Sequence, residues 1–214
     1  MYAYPALEEM TARSPALVKT VDAVSAAIDC VIRCYRGGGK LLICGNGGSC
    51  ADSEHIVGEL LKGFNKKRPL PPELCEKIDA AAPGMRESNA AHRLQLGLPA
   101  VSLTSQGAIL TAAANDLGPD LIYAQQVLGL GKSGDVLIGI STSGNADNVC
   151  KAAAVAKVTG MKTIAFTGQT GGRLAPMCDI ALRAPTDTTP LVQEYHMILY
   201  HTLCDAVESW FFSK

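Results

Sequence analysis

Two short runs of the 214-residue chain carry the residue types that hold anions: Gly45-Asn46-Gly47-Gly48-Ser49 and Ser141-Thr142-Ser143-Gly144-Asn145. Each follows an apolar stretch of strand length and opens a stretch of helical spacing. A helix N-terminus offers unpaired N–H groups and the positive end of the helix dipole. Glycine lets a ligand approach the backbone closely, and Ser141, Thr142 and Ser143 add three hydroxyl donors. One such loop could be no more than a helix capped by Ser49 or Asn145. Two, both rich in glycine and hydroxyls, favour a phosphorylated small molecule held mostly by neutral donors.

A second set of residues could do acid–base or metal chemistry. His55 and Glu59 are four apart in the helical stretch after the first loop, so they share a face. Gln193 and His201 are eight apart near the C-terminus, slightly over two helical turns, and point roughly the same way. Two imidazoles, a carboxylate and an amide oxygen could complete a divalent metal site. On spacing alone, a helix histidine is more often a surface or satisfied core residue. His196 faces another side of its helix and falls outside the set; His92 reads as plain surface. Two look-alikes fail. The first loop has Cys50 where a dinucleotide fingerprint needs its third glycine, and Gly131-Lys132-Ser133 has Gln126 where a P-loop needs its first.

The elements that must position these residues follow from periodicity. Leu17, Val21, Val24, Ile28, Val31 and Ile32 recur at helical spacing over 5–35, one helix or two, ending at Gly37-Gly38-Gly39. Strands are expected at 40–44, 99–103, 135–140, 162–167 and 180–184. Helices are expected at 51–64, 109–115, 120–128, 145–158, 171–177 and 191–212. Nearly all-apolar strands alternating with helices mean an α/β fold, a parallel sheet covered on both faces. The interval 65–98, with Lys66-Lys67-Arg68 and Pro69, Pro71 and Pro72, reads as a surface insertion, part helix and part loop. Its basic triplet is expected to be solvated. Trp210, Phe211 and Phe212 are expected to pack a core or an interface.

Composition narrows the function classes. With 48% hydrophobic residues the chain can bury a core, and a formal charge of -1 argues against broad nucleic-acid or membrane-surface binding. No apolar run has the length of a membrane span, and the N-terminus lacks a signal-peptide core, so a cytoplasmic location is expected. The eight scattered cysteines, several within apolar runs, read as reduced core thiols, Cys30 and Cys34 included.

Taken together, the run from Cys44 to Ser49 with His55 and Glu59, the run Gly139 to Asn145, and Gln193-Glu194-Tyr195-His196 with His201 resemble sugar-isomerase (SIS) domain proteins of the phosphoheptose isomerase type. The resemblance covers roughly residues 10–65 and 98–212. It implies a single SIS domain: a doubly wound, five-stranded parallel sheet flanked by helices, with an N-terminal helical segment (1–36), an insertion (66–97) and a long C-terminal helix. It implies an aldose–ketose isomerase acting on sedoheptulose 7-phosphate through an enediol, in heptose metabolism. Glu59 would be the base and His201 the acid. His55, Glu59, Gln193 and His201 would hold one zinc ion per subunit. Asn46, Gly47, Gly48, Ser49, Glu59, Asn115, Asp116, Ser141, Thr142, Ser143 and Gln193 would contact substrate. A homotetramer with sites at subunit interfaces is implied as well. The chain departs from the family pattern at Ala146, where many members have serine, at Pro190-Leu191-Val192, and in the length of 66–97. Related SIS proteins that only bind a sugar phosphate, or the bacterial replication initiator, form the competing class. The initiator-binding relatives lack the carboxylate and final imidazole that Glu59 and His201 provide here.

Overall fold

The computed structural model describes residues 4–213; Met1 to Ala3 of the expected N-terminal segment, and Lys214, lie outside them. Five strands, β1 (Leu41–Gly45), β2 (Ala100–Ser102), β3 (Val136–Ile140), β4 (Lys162–Thr167) and β5 (Ile180–Arg183), form one parallel sheet of order β2-β1-β3-β4-β5. Side chains alternate between the two faces of a strand, and the core divides accordingly. Leu41, Ile43, Val136, Ile138 and Ile140 join one cluster, and Leu42, Cys44 and Leu137 join the other. Helices cover both faces, which is why β1 and β3 are buried at every position.

On the first face lie α1 (Pro5–Arg13), α2 (Val21–Arg36), α3 (Gly48–Leu61) and the long α10 (Thr189–Phe212). The expected N-terminal helix is two helices, α1 and α2, joined by a 3-10 turn over Pro15–Thr20. Pro15 pushes Ser14 out of the helical region (φ -140°, ψ 83°), so the first helix stops there. On the other face α7 (Ile122–Leu130) and α8 (Asp147–Val158) pack, with α6 (Gly107–Asp116) before them and the short α9 (Leu174–Met177) following β4. The 66–97 interval contains α4 (Pro72–Ala81) and α5 (Pro83–Glu87), and is pinned by a bridge between Pro69 and Gln95.

Two expectations fail for one physical reason. The helix expected to run to Phe64 ends at Leu61, and Arg68, expected in solvent, is buried with 1% exposure. Glu208 on α10, itself fully buried, accepts the backbone N–H groups of Phe64, Asn65 and Lys66 at 2.8, 2.7 and 3.0 Å, and the Nε–H of Arg68 at 2.8 Å. A buried carboxylate needs such compensation, and those amides cannot also continue a helix. Lys66 and Lys67 remain exposed, as expected.

Candidate active site

β1 and β3 are hydrogen-bonded neighbours in register (Gly45 opposite Ile140), so the loops leaving their carboxyl ends emerge side by side. The chain proceeds from β1 to β2 on one side and from β3 to β4 and β5 on the other. The strand order therefore reverses between them, the place where open α/β sheets bind ligands. Asn46 and Asn148 join the two loops by a reciprocal amide pair at 2.9 and 3.1 Å. The Tyr123 hydroxyl donates to the Gly45 carbonyl at 2.6 Å and lies 3.1 Å from Asn46 Oδ1.

Neither loop uses the capping expected of an ordinary helix start. The residues before α3 and α8 are Gly47 and Ala146, which make no side-chain cap bond. Ser49 is buried inside the first turn of α3, and Asn145 precedes the start of α8. Backbone and neighbouring side chains take several first-turn amides instead: Ser49 N donates to the Asn46 carbonyl at 3.0 Å, Cys50 N to that of Gly47 at 3.0 Å, and Val149 N to Asn148 Oδ1 at 3.0 Å. Gly144 adopts φ +66°, and a Cβ there would lie 2.1 Å from the Gly171 carbonyl oxygen, so the turn requires glycine. Ser141 Oγ and Ser143 Oγ brace the loop by accepting from Ala146 N (3.4 Å) and Asn145 N (3.2 Å). Paired charges flank this cradle, and Lys151 holds Asp147 at 2.9 Å. Arg173 donates to the Asn145 carbonyl at 2.9 Å and to Asp147 at 3.1 Å, where its charge is matched.

The acid–base set comes from α3 and α10, which pack together on the first face. His55 Nε2 lies 3.0 Å from Glu59 Oε1, and the rings of His55 and His201 are 5.0 Å apart between centroids. One ligand atom from each of His55, Glu59 and His201 falls within 4.8 Å of the other two. His201 Nε2 is buried without a hydrogen-bond partner. A buried nitrogen lone pair or N–H beside an imidazole and a carboxylate has the chemistry of a divalent-cation site. Burial, and then the neighbouring His55, push the His201 imidazole below its ordinary pKa. The ring of Phe64 lies over His201 at 5.4 Å, tilted by 32°.

The remaining expected residues are more dispersed. Gln193 is on the same helix as His201 but about 12 Å nearer its start. Its amide lies over Gly48, where a Cβ would come within 2.1 Å of Nε2. It therefore borders the first loop. Asn115 and Asp116, at the end of α6, are exposed and bond to each other at 2.7 Å. His196 is fully buried, 3.2 Å from the Thr167 carbonyl oxygen, and burial drives its pKa down to about 4. It stands outside the cluster, as its helical phase requires. His92 is exposed.

Two neighbours of the cluster escaped sequence reasoning. The Tyr200 hydroxyl is 2.9 Å from His55 Nδ1, so it orients the imidazole from the side opposite Glu59. Asp52, 8% exposed, has one carboxylate oxygen without a partner, and burial raises its pKa to about 6. Both had a signal. Asp52, His55 and Glu59 follow the i, i+3, i+7 rule of one helix face, and Tyr200 adjoins His201.

Known proteins agree with this architecture. The SIS domain family model matches residues 7–96 and 77–168. The phosphoheptose isomerase of Helicobacter pylori (strain P12) is 38% identical over 211 residues, 97% of this chain and 96% of that protein. That of Burkholderia pseudomallei (strain 1710b) is 40% identical over 198 residues, 92% and 85%. The solved phosphoheptose isomerase of Neisseria gonorrhoeae superposes with a TM-score of 0.74 at 36% identity, covering 94% of each chain. The chain belongs to the SIS-domain family. Within that family it falls among the phosphoheptose isomerases.

Proposed function

We propose that the chain interconverts sedoheptulose 7-phosphate and D-glycero-D-manno-heptose 7-phosphate. The convergence of His55, Glu59 and His201 from α3 and α10 carries this reading, and the relatives that share most of its length support it. The reaction moves hydrogen between C1 and C2 of the sugar. The Glu59 carboxylate takes the proton from C1 of the ketose while the His201 imidazole donates to the C2 oxygen, giving a cis-enediol. His201 then takes the proton from the C1 oxygen, and Glu59 returns its own to C2. A depressed imidazole pKa suits this role, because a neutral ring can donate at one nitrogen without first losing a charge. His55 and Tyr200 hold the carboxylate and ring in place. The phosphate rests on the amides and hydroxyls of Ser141, Thr142 and Ser143, and Asn46, Gly47, Gly48, Ser49 and Gln193 line the sugar path.

His55, Glu59 and His201 would hold a divalent ion, zinc in this reading, with Gln193 an added ligand if it swings from Gly48. When bound, the ion supplies polarisation of the sugar oxygens. Asn115 and Asp116 would reach a sugar in a neighbouring subunit of a homotetramer, consistent with their exposure. We read the whole chain as one SIS domain with an N-terminal helical segment and the 66–97 insertion. Among the described residues no helix is long and apolar enough to cross a membrane, and the reading places the enzyme in the cytoplasm. The test is proton exchange at C1 of sedoheptulose 7-phosphate in heavy water, with metal content measured in parallel. Exchange that Glu59→Gln abolishes is expected. No exchange at any metal loading overturns the assignment.

A further inference from the structure

The two catalytic helices are fastened together by a buried ion pair that the reaction itself does not use. Arg68 and Glu208 have side chains with no exposure, and Arg68 Nε donates to Glu208 Oε1 at 2.8 Å. The rest of the Arg68 guanidinium faces the end of α3. Nη1 donates to the Leu60 carbonyl at 2.7 Å and Nη2 to the Glu59 carbonyl at 3.1 Å. The last carbonyls of a helix have no partner within it, so Arg68 is the C-terminal cap of α3, bonded to the backbone of the proposed base.

Glu208 reaches the proposed acid by a separate route. It lies seven residues after His201, two turns along the same face of α10. Its carboxylate grips the amide of Phe64, and the Phe64 ring covers the His201 imidazole at 5.4 Å. One pair therefore touches the backbone of Glu59 and, through Phe64, the ring of His201. Burying two charges costs heavily in desolvation, and apolar residues of similar volume often stabilise as well or better. The pair's value is thus directional: a planar fork with fixed donors sets distance and register where apolar contact would let the helices slide.

We propose that Arg68 and Glu208 are positioning residues for the Glu59–His201 pair, a claim that rests on the isomerase reading for its kinetic consequence but not for its structural one. The test compares Glu208→Gln and Arg68→Lys with wild type and with Ile28→Val, a core variant on α2 away from the site. Circular dichroism establishes folding, and the assay separates kcat from KM for sedoheptulose 7-phosphate. The expected result is folded variants with kcat reduced about 10²-fold, the scale on which small misplacements act, and KM within about 2-fold of wild type. Ile28→Val should keep wild-type kcat. In metal-free protein, the His201 ring-proton resonances should lose the upfield displacement caused by Phe64. That readout stands even if wild type fails to turn over this sugar, which would sink the isomerase reading alone. Wild-type kcat with unchanged His201 resonances in a folded variant overturns the proposal. If Glu208→Gln does not fold, Arg68→Lys decides; if neither folds, the pair is a folding element and the proposal is overturned too.

Discussion

The anion cradle and the acid–base cluster are built on opposite principles. The cradle, Ser141 to Asn145 with the Gly45–Gly48 loop, is mostly backbone and hangs from two adjacent strands whose register is set along five residue pairs. The cluster is all side chain and depends on how α3 and α10 lie against each other. A sheet holds a loop through many hydrogen bonds, so losing one donor changes affinity modestly. Two helices hold three functional groups through a few directed contacts, so losing one group removes a role. Binding and turnover should therefore fail separately.

The largest effect tests that separation directly. Glu59→Gln should lower kcat by about 10³-fold while affinity for the sugar phosphate, read by calorimetry, shifts less than about 3-fold. Equal losses of both would erase the distinction. Next comes Gly144→Ala, which forces a Cβ against Gly171 in a left-handed turn. It should cost about 3 kcal/mol of stability in urea unfolding, and a neutral result would show the cradle to be pliable. Thr142→Val removes one hydroxyl at constant shape. It should raise KM about 10-fold with little change in kcat, and a fall in kcat alone would place Thr142 in the chemistry.

The smallest effect concerns Asp52, beside the cluster. Its folded pKa, about 6, lies above the ordinary carboxylate value, so the folded state favours the protonated form. The stability this adds is present below about pH 4 and is lost as pH rises to about 6. Relative to wild type, Asp52→Asn should gain stability across that window and then level off. A difference independent of pH would mean Asp52 is already paired.

Much of the fold was legible because it rests on local periodicity. β4 falls at 162–167 as expected, and the other strands within a residue or two at each end. The N-terminal break at Pro15 and the early stop of α3 were not legible to the same degree. The first is a local proline effect hidden under an unbroken apolar rhythm. The second is dictated by Glu208, more than 140 positions away from the amides it captures. The same distance hid the burial of Arg68, whose triplet Lys66-Lys67-Arg68 looks solvated in one dimension. Within the site, His55 with Glu59 was readable from spacing because one helix carries both. Gln193 with His201 was readable as a shared direction only, and the seat of the Gln193 amide against Gly48 was not readable at all.

What the amino-acid order determined on its own was which segments become strands and helices, and where glycine and hydroxyl-rich turns join them. These depend on side-chain patterning and backbone freedom over a few residues. What tertiary structure alone decided was which polar groups share a space: Glu59 with His201, Tyr200 with His55, Arg68 with Glu208. That depends on how buried faces pack and on where charges removed from water find partners, and neither is a property of neighbours in the chain.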